Sequence, residues 1–151
     1  MGYALGQLYG EEIIANINGM VDYYMGQVTR FLKGYGLPDV LALALTEVAK
    51  KIAFAAVDLN YEIAKPYMPA RITDEMQGIH DGSNGVADYK MVRRINFLPE
   101  IIKAQCTIAG AFGAATKDGN LLHLRALDWD HNAPVDKYPA IVIYEPTEEG
   151  S

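Results

Sequence analysis

A single cysteine, Cys106, occurs in 151 residues. That excludes an internal disulfide framework and any multi-cysteine metal site. Positive charge is scarce: 13 Lys and Arg stand against 19 Asp and Glu, a formal net charge of −6. Nucleic-acid binding needs clustered Lys and Arg opposite phosphates. The densest basic spot is Arg93-Arg94, which reads as a solvated helix face, so no nucleic-acid partner is expected. Long apolar runs are missing too. The longest, Val-Leu-Ala-Leu-Ala-Leu at 40–45, falls far short of the roughly 20 residues of a membrane-spanning helix. No transmembrane segment is expected. The opening residues lack the basic-then-apolar layout of a signal peptide, and Gly6 stands where a myristoylation signal places Ser or Thr. No asparagine lies in an Asn-x-Ser/Thr context.

Half of the residues are hydrophobic, enough for a real core in a chain of one domain's length. Ile14, Ile17, Val21, Tyr24, Val28 and Phe31 repeat in steps of three and four, which predicts one helix face. Gly34, Gly36 and Pro38 end that helix, and Pro38 suits the first turn of the next. The second helix carries a stripe of Leu41, Leu45, Val48, Ile52, Leu59 and Ile63. It has another apolar face at Phe54, Val57 and Tyr61, so burial on two sides is expected, with a stop before Pro66. Thr73, followed by Asp74 and Glu75, predicts an N-cap, with the helix ending near the turn-rich Asp81-Gly82-Ser83-Asn84-Gly85. Asp88 is expected to cap a fourth helix carrying Val92, Ile95 and Phe97, interrupted by Pro99.

After Cys106 the texture becomes strand-like. Residues 106–116 are small and β-compatible, Asp118-Gly119 marks a hairpin turn, and 121–130 returns as a second strand. A third strand is expected at 139–145. The fold class is therefore α+β, with a helical segment at about 1–105 followed by the first strands of an incomplete sheet. The domain reading is 1–105 helical and 106–151 strand-bearing, with a hairpin at 106–130. Three strands leave apolar edges uncovered, as in one part of something larger.

A lone cysteine is commonly a buried structural thiol. A catalytic one needs a base and an orienting group. His123 and His80 are candidate bases, although each is more often an ordinary surface or hydrogen-bonded ring. A second source of base exists if the Gln105–Cys106 bond is cut. The free α-amine of Cys106, with a pKa of roughly 7.7–8.0, then acts on its own thiol. Arg125, Asp128, Trp129, Asp130 and His131 cluster at the far end of the same stretch. Asp128, Asp130 and His131 are chemically suited to a divalent ion, but loop carboxylates usually cap or stay solvated, so no metal is expected. A two-residue turn at Asp118-Gly119 sets Cys106 opposite His131 and Asp128 opposite Ala109. Cys106 and Asp128 are then about 10 Å out of step, unless a bulge at Gly110 or Gly113 intervenes. Arg125 and Asp128 fall on opposite faces of a regular strand, so the strand is expected to end at residues 128–131.

The pattern Cys106-Thr107, Gly110-Ala111-x-Gly113-x-Ala115-Thr116-x-Asp118-Gly119 and Leu124-Arg125-Ala126-Leu127-Asp128-Trp129 resembles the N-terminal-nucleophile amide hydrolases. The likeness is to their acid ceramidase-like and isopenicillin-N acyltransferase-like branch, related to choloylglycine hydrolases. Leu124 and Ala126 stand where the family has Gly and Asn. Residues 1–12 and Leu59-Asn60-Tyr61-Glu62 are also similar to helical motifs of such precursors. The resemblance implies an αββα sandwich and self-cleavage between Gln105 and Cys106. Cys106 would be nucleophile and base, Asp128 would orient its amine, and Arg125 would position substrate and balance the thiolate. Trp129, Asp130 and His123 would give possible support. It implies a lipid or other small acyl-amide substrate, ceramide-like, turned over through a thioester without a cofactor, and a secreted or lysosomal setting. The family's further strands, carrying an Asn and an Arg of the site, are absent from 151 residues. The chain alone is thus expected to be incomplete or inactive, lacking a C-terminal β-chain segment or a homo-oligomer partner. The competing expectation is a non-enzymatic helical interaction module, or a truncated remnant, that binds a partner chain.

Overall fold

The computed structural model describes residues 1–101 and 105–143. Four helices precede one antiparallel hairpin: α1 (Gly2–Gly34), α2 (Asp39–Ala64), α3 (Ala70–Gly82), α4 (Tyr89–Ile101), β1 (Gln105–Gly113) and β2 (Gly119–Asp128). The α+β expectation, helices first and strands after, is met.

The periodic stripes become helices, but the sides they bury differ from expectation. α1 starts earlier than its apolar repeat, at Gly2, and breaks helical geometry once, at Tyr9 (φ −135°, ψ 19°). α2 is capped by Pro38 and stops at Ala64, before Pro66. Its Val57 and Tyr61 are buried, whereas the stripe from Leu41 to Ile63 is open to solvent. Burial on two sides is therefore corrected to burial on one. α3 begins at Ala70, behind Pro69, so Thr73 is no N-cap. Its hydroxyl instead donates to the Ala70 carbonyl at 2.7 Å. The asparagine and glycine of the following turn take positive φ, 52° at Asn84 and 82° at Gly85. Asp88 does cap α4: its Oδ1 accepts the Met91 N–H at 2.9 Å. Pro99 lies inside α4 without ending it before Ile101.

The core gathers Ile17, Tyr61, Met76, Ala87 and Val92 from all four helices and the α3–α4 turn. Tyr61 and Phe97 meet edge to face at 5.3 Å. α1 and α3 approach closely because Gly2, Gly6 and Gly10 lie one turn apart on α1, opposite Gly78 and Gly82 of α3. A Cβ at Gly6 would overlap the Ile79 carbonyl, and one at Gly82 the Tyr3 carbonyl. α2 and α4 are joined by charge. Asp58 accepts from Arg93 at 2.9 Å and from Arg94 at 2.7 and 3.0 Å, with Lys90 at 3.5 Å. The two guanidiniums stack on Tyr61 and Phe54 at 4.2 and 4.1 Å. These cations hold the Asp58 carboxyl far below the ordinary carboxylate range, Arg94 most of all.

The third strand expected at 139–145 is not formed over 139–143, and 144–145 lie outside the described residues. The chain instead leaves β2 to dock on α1, through residues 129–134 and a 3-10 turn at Pro134–Asp136. No described helix is long and apolar enough to cross a membrane.

Candidate functional site

The hairpin register differs from the simple expectation. Cys106 lies opposite Leu127, Ile108 opposite Arg125, and Gln105 opposite Asp128. A two-residue turn at Asp118-Gly119 is thereby corrected to a longer connection over residues 114–118, with a register shift between Ala111 and Gly113. Local chemistry explains it. Thr116 donates to the Asn120 carbonyl at 2.9 Å, and Asp118 accepts from the Asn120 side chain at 2.6 Å. Both folds of the loop fall on glycines with positive φ, Gly113 at 56° and Gly119 at 77°, a region costly for other residues. The Asp-Gly pair thus closes the loop rather than forming its centre. The segment before the expected cleavage point, 102–104, lies outside the described residues.

This register brings Cys106 and Arg125 together. They are diagonal neighbours on one face, and Arg125 Nη2 donates to Cys106 Sγ at 3.2 Å. Asp128 is corrected from a loop position to the last residue of β2, on the opposite face. There its Oδ2 accepts the Thr107 hydroxyl at 2.9 Å. Asp128 is therefore one step along the ladder from Cys106, with its side chain turned from the thiol, and a regular strand through 128 is the cause. His123 shares the face of Cys106 but stands opposite Gly110, four residues along and about 13 Å away. His80 lies elsewhere, its Nδ1 bonded to the Ala87 carbonyl at 3.0 Å. Neither imidazole can take a proton from Cys106 in this arrangement. Cys106, Ile108, Leu127 and Arg125 are all exposed.

Trp129 and Asp130 belong to the root of the hairpin rather than to the thiol's face. Asp130 Oδ2 accepts the Tyr23 hydroxyl at 2.5 Å, while its Oδ1 accepts the Asn132 N–H at 3.0 Å. Trp129 Nε1 lies against Tyr24 but falls short of hydrogen-bond geometry, and no described group accepts from it. Asn16 donates to the Pro134 carbonyl at 2.9 Å, and Ala133 is buried against this seam. Tyr23, Tyr24, Asn16 and Thr107 were not readable as site neighbours. The one hint is that Asn16, Tyr23 and Tyr24 lie on turns of the same helix.

The Tyr23–Asp130 bond pushes the phenol upward and the carboxyl downward from their ordinary values. Asp130 therefore stabilises the docked state above the ordinary carboxylate range, and this is lost as pH falls through its lowered value. Tyr23 stabilises it below the ordinary phenol range, and this is lost as pH rises through its raised value. Tyr23→Phe is expected to raise amide hydrogen exchange across 129–136 several-fold at neutral pH, while exchange in α3 stays as it was. Equal protection in both proteins would show that the tether does not hold the hairpin root.

Among the described residues no group of three His, Cys, Asp or Glu is placed to hold a metal ion. Asp128 and Asp130 are engaged by different partners, Thr107 and Tyr23. The arrangement supplies an exposed thiol beside a guanidinium, with apolar neighbours, on a hairpin whose two faces carry no covering layer among the described residues.

No protein-family model matches the chain, and no solved structure matches it. Protein dcd1A of Dictyostelium discoideum is 36% identical over 152 residues, which cover 95% of this chain and 33% of that protein. Protein dcd1B of the same organism is 33% identical over 151 residues, covering 98% of this chain and 29% of that protein. These findings overturn the resemblance to the acid ceramidase-like N-terminal-nucleophile hydrolases, since no such family is indicated. The physical reason is visible in the hairpin. Most residues that carried the likeness are the small Gly, Ala and Thr of a strand–turn–strand, and Arg125 and Asp128 point to opposite faces. The chain is similar, along nearly its whole length, to dcd1A and dcd1B, and it spans about a third of the length of these curated relatives.

Proposed function

We propose that this chain carries the nucleophile of a thiol-dependent amide hydrolase acting on acyl amides, with Cys106 as the attacking group. The observation that carries this reading is the 3.2 Å contact of Arg125 Nη2 with the exposed Cys106 Sγ. A guanidinium there balances a thiolate and can orient a substrate carbonyl. Ile108 and Leu127 flank the thiol on the same face and suit an apolar acyl group. The thiolate adds to the amide carbonyl, the C–N bond breaks, and the amine leaves with a proton. Water then attacks the thioester, releasing the acid and restoring the thiol. Neither His123 nor His80 is within reach, and we assign the role of base to the α-amine of Cys106, freed by cleavage after Gln105. The full activity belongs to a longer assembly, because no described element stands beside the hairpin to enclose a substrate.

The test is acylation by a long-chain acyl p-nitroanilide. The expected product is an acyl mass on Cys106, absent from Cys106→Ala and formed at least about tenfold more slowly in Arg125→Ala, which is worth about 1.4 kcal/mol. An adduct that forms equally fast without Arg125 would remove the support for the site. A second reading, a non-enzymatic module that binds a partner chain, is favoured by the open apolar stripe of α2. It predicts no adduct at all.

A further inference from the structure

We infer that the exposed stripe of α2 is the seat of an amphipathic helix, supplied by polypeptide equivalent to the two thirds of dcd1A and dcd1B that lie outside their match to this chain. The stripe is regular. Leu41, Leu45, Val48, Ile52, Ala55 and Leu59 follow one another in steps of four and three, the spacing by which one helix receives the side chains of another. Leu41, Leu45, Val48, Ile52, Leu59 and Ile63 remain 40–65% exposed, and no described element packs on them. An uncovered apolar strip of this length marks an interaction surface. Its flanks admit a close approach, since Ala44, Ala49 and Ala56 carry only methyl groups.

The choice of occupant rests on length and charge. The match covers 95% and 98% of this chain, α2 included, yet only 33% and 29% of the relatives. In proteins of that size, most of the polypeptide available to cover α2 lies beyond the matched stretch. A second copy fits less well. Antiparallel twofold pairing centred near Ile52 sets the two Lys51 side chains against each other, a like-charge contact. Asp58, the acid on that flank, is already held by Lys90, Arg93 and Arg94.

The test uses a thiol reporter, Ile52→Cys in a Cys106→Ala background, and a control, Glu47→Cys, on another side of α2. Each is placed in the 151-residue chain and in a chimera where this chain replaces the matched stretch of dcd1A. Maleimide labelling at position 52 is expected to be about 100-fold slower in the chimera than in the chain alone, and labelling at position 47 equal in both. Equal rates at position 52 overturn the proposal. So does slow labelling in the chain alone that depends on concentration, which would identify a second copy. If the chimera does not fold, the unmatched part of dcd1A is added in trans and hydrogen exchange over 41–63 is read. An α2 left unprotected there also overturns it. The reporter background contains no Cys106, so this result is independent of the amide-hydrolase reading.

Discussion

Asp58→Asn is expected to lower the stability of the chain by about 3 kcal/mol, measured by urea denaturation at neutral pH. Asp58 faces three cations, two of them guanidiniums whose side chains are only 14–15% exposed. Removing its charge leaves Arg94 partly buried without its acid and Arg93 with only the exposed Glu62, 3.7 Å away, and that loss exceeds the worth of an ordinary surface pair. The pH dependence follows with a definite sign. The folded carboxyl is held below its unfolded value, so its contribution is present above about pH 4 and fades as pH falls through the folded value. The wild type therefore loses stability more steeply below about pH 4 than Asp58→Asn does. Parallel pH profiles would mean that the cluster is merely solvated charge. Because Asp58 and its partners join α2 to α4, the loss also loosens the helix that leads towards Cys106.

The second large effect lies between α1 and α3. Gly6→Ala is expected to cost about 3 kcal/mol, because the added methyl meets the Ile79 backbone rather than a side chain that can swing aside. Gly82→Ala should do likewise against the Tyr3 carbonyl. Gly26→Ala is the contrast. Gly26 sits in α1, and a methyl added there would meet nothing within 4 Å. The substitution should stabilise the chain by up to about 1 kcal/mol through helix propensity. Similar destabilisation at positions 6 and 26 would show that helix packing is not what the glycines serve.

These two features also mark the limit of what the sequence discloses. Periodicity located the helices: α2 ends before Pro66, α3 ends at the Gly82 turn, and Asp88 caps α4. It could not say which of two apolar faces of α2 is buried, because both stripes have helical spacing and only the neighbouring helices decide. The glycine contact between α1 and α3 was not read from the sequence, since the partners lie some 70 residues apart in it. The strands around Cys106 were legible from composition, and their pairing was not. Asp118-Gly119 is a strong two-residue turn signal, yet the Thr116 and Asp118 side chains bind Asn120 and draw the loop out to residues 114–118. That shift decides the site, for it brings Arg125 beside the thiol, while Asp128 stays on the other face. Docking of 129–136 on α1 was hidden for the same reason, since Tyr23–Asp130 is a contact across 107 residues.

If Cys106 is a nucleophile with its own amine as base, intact mass spectrometry of the purified chain will reveal it. Two polypeptides are expected, one ending at Gln105 and one beginning at Cys106, and a single uncut chain for Cys106→Ala. A wild-type chain that stays whole on prolonged incubation, or is cut equally in Cys106→Ala, would contradict it.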